Sequence, residues 1–161
     1  SQEPPEVAMF RNDAHRVPAG RIELLRSLPM FRWCNDHELA RVDALVYETT
    51  LPAGAKLTVQ GKVRRQAFIV LAGEATVEIS GQVVGRVVVG DLIGEISLIE
   101  RRAQATTVTA QGPLRVLVMD PREFGTWASD PRVASWLAGE VADRRSAAAP
   151  YSSSRPAQLP A

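Results

Sequence analysis

A chain of 161 residues is the size of one domain with a full core, and its 45% apolar and 23% charged content is that of an ordinary globular protein. A net charge of +1 offers no bulk attraction to nucleic acid or to an anionic membrane. One cysteine and two histidines, His15 and His37, exclude an internal disulfide and argue against a metal site. No apolar run approaches the roughly 18 residues of a membrane span, and the first residues lack a basic-then-apolar signal pattern, so a cytoplasmic location is expected.

Residues 1–19 open on the proline-rich, acidic string SQEPPEVA and read as a disordered segment. The folded domain is expected over residues 20–145. A tail rich in serine and proline, again expected to be disordered, occupies 146–161. Ile22, Leu24, Leu25 and Leu28 give a short helical face that Pro29 stops. Asn35 followed by Glu38 predicts a capping box, in which each residue's side chain satisfies the other's backbone amide. Leu39, Val42, Leu45 and Val46 continue as an apolar stripe at helical spacing.

From Tyr47 onward the pattern changes to short strands punctuated by glycine turns. Strands are predicted over residues 57–60, 67–71, 75–79, 83–89, 106–110 and 114–119, within a set of about seven or eight. Turn signals at roughly ten-residue spacing indicate an all-β sandwich or barrel. Helices return with Asp120-Pro121-Arg122-Glu123, which places an N-cap, a proline at the first helical position and a carboxylate at the third. Asp130-Pro131 repeats the device, and Val133, Trp136, Leu137 and Val141 share one face of the helix that follows.

The stretch 90–108, GDLIGEISLIERRAQATTV, carries the most chemistry. A glycine turn leads into a short apolar segment, then Gly94-Glu95-Ile96-Ser97, and nine residues after Glu95 comes Gln104 with Ala105-Thr106-Thr107-Val108. This resembles the phosphate-binding cassette of the cyclic nucleotide-binding domain family. Leu51-Pro52-Ala53-Gly54, Val59-Gln60-Gly61 and Leu71-Ala72-Gly73 are similar to that family's turns, and the resemblance runs from about residue 28 to 145. It implies a mainly β fold with flanking helices, a β-roll of the double-stranded β-helix or jelly-roll type.

The resemblance also implies a site made of Gly94, Glu95, Ile96, Ser97, Gln104, Ala105 and Thr106. Free amides at the start of a one-turn helix at Gly94-Glu95 would receive the phosphate, and Glu95 would accept from the ribose 2′-hydroxyl. One position departs from the pattern: where the family has Pro-Arg, this chain has Ala103-Gln104, so the phosphate's usual guanidinium is missing. Arg101 and Arg102 upstream, or Lys62, Arg64 and Arg65 on the loop between two strands, are candidate replacements, the alternative for each being a solvated surface charge. Glu95 could equally cap its own helix. Thr106 and Thr107 could turn their hydroxyls into the pocket, and Trp136 or Leu137 could cover a base, although an apolar helical face serves core packing as readily.

The expected function is a non-enzymatic regulatory, ligand-sensing module that takes cyclic AMP or cyclic GMP weakly and needs no cofactor. The alternative is a degenerate, ligand-free domain acting as a protein-interaction or dimerisation scaffold, and a protein partner or a homodimer is compatible with either reading. No nucleic-acid or membrane partner is expected, since after residue 145 only a polar tail remains where a DNA-reading helix-turn-helix would stand. Neither a nucleophile triad nor a phosphate loop points to catalysis, and no metal ligand set is expected.

Overall fold

The computed structural model describes residues 21–63, 66–94 and 103–146. The expected disordered ends, 1–19 and most of 146–161, therefore lie outside the described residues. Helix α1 (Arg21–Arg26) is followed by a 3-10 turn, Pro29–Phe31, and by α2 (Asp36–Asp43). Eight strands come next: β1 (Tyr47–Leu51), β2 (Lys56–Thr58), β3 (Ala67–Ala72), β4 (Ala75–Ile79), β5 (Gln82–Val87), β6 (Leu92–Ile93), β7 (Thr107–Ala110) and β8 (Leu114–Met119). Helices α3 (Pro121–Ala128) and α4 (Pro131–Ser146) close the described chain.

The strands form two four-stranded antiparallel sheets, ordered β1-β8-β3-β6 and β2-β7-β4-β5. Sequence neighbours β1 and β2 sit in different sheets, as do β7 and β8, so the chain winds from one sheet to the other and makes a roll with flanking helices, as expected.

Alternation along the strands explains why two layers of core exist. In β3, Phe68 and Val70 face the second sheet, while Ala67, Ile69 and Leu71 face the helices. In β8, Leu114, Val116 and Val118 turn inward, and Leu117 and Met119 turn towards the helices. These strands are buried on both faces, which is why 67–71 reads as an unbroken apolar run. The second sheet supplies Leu57, Ala75, Val77, Val87, Val108 and Ala110 to the interior, and its other face carries Thr76, Glu78 and Thr109 together with the exposed Val83. Each fully buried large side chain contributes about 1.5–3 kcal/mol.

The capping box forms in both directions. Glu38 N donates to Asn35 Oδ1 at 2.8 Å, and Asn35 N donates to Glu38 Oε1 at 2.9 Å. The apolar stripe is shorter than its spacing suggests, because α2 ends at Asp43 and leaves Leu45 and Val46 beyond it. Pro29 does more than stop α1: it starts the 3-10 turn that buries Met30 and Phe31. A buried ion pair between Arg21 and Asp43 ties α1 to α2. Arg21 Nη2 also donates to the carbonyls of Asp43 and Val46, at 3.4 and 3.3 Å.

The expected cap at Asp120 is only half realised. Pro121 does occupy the first helical position, but the Asp120 carboxylate makes no capping bond; it accepts from Gln66 Nε2 at 2.9 Å instead. Asp130 does cap, its Oδ1 accepting from Arg132 N at 2.8 Å. Trp136 tilts against Trp33 and Trp127, with ring centroids 6.2 and 6.3 Å apart, and Leu137 lies in the core between helices and sheet. Both side chains of the proposed lid are thus helix-side packing.

Candidate functional site

Strand β6 is two residues long. Leu92 and Ile93 pair with Ile69 and Phe68 of β3, and the chain then turns at Gly94 with φ +93°. That angle favours glycine. The surroundings demand it as well, since a Cβ at this position would stand 2.8 Å from Gln66 O and 3.8 Å from Gln104 Nε2. The glycine thus lets the backbone entering the cassette lie directly against the end of β3.

Gln104 arrives from the other side. Its backbone N donates to Lys62 O and its carbonyl accepts from Gly61 N, both at 2.9 Å, so the loop after β2 clamps it on both edges. Burial alternates from there into β7: Gln104, Thr106, Val108 and Ala110 are buried, and the residues between them are half-buried or exposed. Gln104 and Thr106 therefore share the inward register, and Ala105 is exposed. Thr58 Oγ1 donates to Thr106 O at 2.9 Å, and Thr107 Oγ1 accepts from Gln60 N at 2.9 Å. The Thr107 hydroxyl is thereby engaged with the β2 end, not turned into the roll.

Of the sequence-derived site residues, Gly94, Gln104, Ala105 and Thr106 are described, and Gly94 and Gln104 are brought together. Glu95, Ile96 and Ser97 lie outside the described residues, as do the candidate cations Arg64, Arg65, Arg101 and Arg102. Lys62 is exposed, with its backbone on Gln104. At the position where a guanidinium is expected, the roll buries an uncharged amide.

Sequence reasoning missed Gln66. Its carbonyl is the atom that Gly94 lies against, and its side chain donates to Tyr47 Oη at 3.1 Å and to Asp120 Oδ1 at 2.9 Å. It connects the glycine turn to the residue from which α3 departs. A glutamine that follows two arginines ahead of an apolar strand carries no pattern that could have singled it out.

A two-sheet roll with a positive-φ glycine at the end of one strand and a buried polar side chain beside it defines a class: a β-roll flanked by helices. Residues 48–129 match the family model of the cyclic nucleotide-binding domain, and the chain belongs to that family.

Among curated proteins, the cAMP-dependent protein kinase regulatory subunit of Mycosarcoma maydis is 30% identical over 111 residues, 63% of this chain and 21% of that one. The Pycsar effector protein XpPycTIR of Xanthomonas perforans is 30% identical over 133 residues, 78% of this chain and 44% of that one. The chain thus spans less than half the length of either relative. The regulatory domain of Toxoplasma gondii PKA, solved with cAMP, shares the fold with a TM-score of 0.68 at 23% identity, over 76% of this chain and 48% of that one. Among the described residues no helix is long and apolar enough to cross a membrane, and no group of three or more His, Cys, Asp or Glu is placed to hold a metal ion.

Proposed function

We propose that this chain is a non-enzymatic sensing module that takes a cyclic nucleotide weakly where Gly94 and Gln104 meet, through the cassette 94–107, with residues 20–145 as the folded unit. The observation carrying this reading is the close approach at Gly94. A backbone held at φ +93° against Gln66 O, with the Gln104 amide beside it, keeps the cassette's entry and exit together on the inward side of the roll. Glu95 is assigned the ribose hydroxyl. Amides following Gly94 receive the phosphate, helped by the Gln104 side chain. The cAMP-dependent kinase relative supports cyclic AMP as the first ligand to try.

Glutamine in place of arginine costs the charge-assisted part of the contact. Losing one partner of a buried charge-assisted pair costs about 2–5 kcal/mol, or roughly 30- to several thousand-fold in affinity. Calorimetry with cyclic AMP, GMP, CMP and UMP up to millimolar concentration tests the proposal. Weak saturable heat from at least one of them is expected, with Gln104→Arg tightening it by tenfold or more. If neither the native chain nor Gln104→Arg gives heat, the cassette is no ligand site.

The second reading is a scaffold in which the roll has lost its ligand and serves protein association in the cytoplasm. The buried neutral Gln104 favours it. Size-exclusion with light scattering separates the two: a dimer indifferent to cyclic nucleotide supports the scaffold, and a ligand-dependent change of state supports the sensor.

A further inference from the structure

A cavity of about 330 Å³ lies between α2 and the α3–α4 corner, and neither Gly94 nor Gln104 is in its lining. This volume is at the lower end of small-molecule sites, about 300–1,000 Å³. Its apolar lining comes from both ends of the chain. Trp33 stands just before α2, Val42 lies on it and Leu45 just after it, and Trp127 and Val133 come from the opposite helices. Val42, Trp127 and Val133 are deeply buried, whereas Trp33 and Leu45 remain half-exposed. Trp33 Nε1 is buried without an acceptor among the described residues.

Charge at the rim is unevenly committed. Glu38 accepts from Asn35 N and pairs with Arg132, and Asp130 accepts from the Arg132 backbone and side chain. Those two carboxylates and that guanidinium satisfy one another. Arg41 also lines the cavity, is exposed, and has no ion-pair partner among the described residues. An apolar cleft with two indole walls and one uncommitted cation is complementary to a flat apolar body bearing a single anionic group.

We propose that this cleft is a second ligand site, separate from the cassette, that takes a planar aromatic carboxylate of bicyclic size. The ring lies between the helices against Trp33 and Trp127, and the carboxylate meets Arg41. Binding there joins α2 to the α3–α4 corner, which the Glu38–Arg132 pair already ties together. The inference does not depend on cyclic nucleotide binding in the roll.

The test is a nitrogen–proton correlation titration of the full chain with 1-naphthoate, alongside calorimetry. The three tryptophans give three indole signals, assigned by single Trp→Phe replacements. The expected result is saturable movement of the Trp33 and Trp127 indole signals at submillimolar ligand, with the Gly94 and Gln104 amides unmoved. Arg41→Gln, an exposed change that leaves the fold intact, should weaken 1-naphthoate by about tenfold and leave the uncharged 1-naphthamide unaffected. Leu45→Trp should fill the cleft and remove binding of both while the remaining amide spectrum is kept. The proposal is overturned by the absence of saturable shifts up to millimolar 1-naphthoate, by shifts centred on Gly94 and Gln104, or by equal affinity of Arg41→Gln and the native chain for 1-naphthoate.

Discussion

Arg132, in the first turn of α4, donates to the Glu38 carboxylate on α2, 94 residues earlier in the chain. Glu38 is also the residue whose side chain closes the capping box of α2, so one carboxylate serves a local cap and a long-range tie together. Arg132 divides itself between Glu38 and Asp130, the cap of its own helix.

The first prediction concerns acid. Glu38 titrates below its ordinary 4.5 because it accepts from the Asn35 amide and then because Arg132 is beside it, and Asp130 titrates below its ordinary 3.8 because of Arg132. A carboxylate whose folded-state value is depressed stabilises the fold fully above the unfolded value, and that contribution is lost as pH falls through the folded value. Thermal stability should therefore be flat from pH 7 to about 5 with respect to these groups and should fall below pH 4.5. In Arg132→Gln, carboxyl carbon titrations should return Asp130 and Glu38 each only part of the way to its ordinary value, because the bonds from the backbone amides of position 132 and of Asn35 survive. A full return of either would mean that its backbone bond contributes nothing, and no movement of either would mean that the guanidinium does not act on them.

Arg21→Ala is expected to be among the more damaging single changes outside the apolar core. Arg21 and Asp43 are both buried, and removing one partner strands the other charge away from water, at about 3–5 kcal/mol. Urea denaturation monitored by circular dichroism measures it. The double change Arg21→Met with Asp43→Leu should recover most of the loss, because a buried pair replaced by apolar groups of similar volume is close to neutral. A loss below about 1 kcal/mol for the single variant would mean that Asp43 reaches solvent.

Two glycines with nearly equal angles should respond differently to alanine. Gly54 has φ +88° with nothing within 4 Å of a built Cβ, whereas Gly94 has φ +93° with Gln66 O at 2.8 Å. Gly54→Ala should cost about 1–2 kcal/mol, the left-handed penalty alone. Gly94→Ala should cost about 1–3 kcal/mol more, since a backbone carbonyl has to move. It should also perturb the Tyr47 and Asp120 signals, because Gln66 holds both. Equal melting temperatures for the two variants would remove the argument that the approach at Gly94 is obligatory.

The lone cysteine should be a slow nucleophile. Burial, and then the nearby Glu38 carboxylate, pushes the Cys34 thiol above its ordinary 9.0, and it is the thiolate that reacts. Alkylation by iodoacetamide at pH 8 should run several-fold slower than for free cysteine, with its rise displaced to higher pH. Glu38→Gln should bring it part of the way back. A rate equal to that of free cysteine would place the thiol in open solvent.

Much of the roll could be read along the chain, and the reasons differ from strand to strand. Strands β4 and β8 fall at the predicted bounds because each is delimited by a turn, with Gly81 following β4 and Pro113 preceding β8. Strand 83–89 stops at Val87, because Asp91 Oδ2 accepts from Val88 N and draws the chain into a turn at Gly90. β1 was not delimited as a strand: YETTL has few apolar residues, and its inward face includes the buried Thr49. β6, two residues long, has no periodicity at all.

The candidate site was legible in kind and not in arrangement. Gly94, Gln104 and Thr106 are named through the family resemblance, whereas which of Thr106 and Thr107 faces inward is settled only by the burial alternation of the folded strand. The role of Gln66, the diversion of Asp120 from its cap and the engagement of Thr107 with Gln60 all depend on a partner distant in sequence, and no local pattern announces a hydrogen bond across 54 residues.

By itself the sequence determined what depends on near neighbours and on period: two-residue alternation for the strands, the Asn35–Glu38 box, the positive-φ turns, and through their order the family. The tertiary structure decided which polar groups meet. It set Gly94 against Gln66 and Gln104, paired Glu38 with Arg132, and opened a cleft between helices from opposite ends of the chain, because such contacts are fixed by how two sheets wind about each other and where the helices come to rest on them.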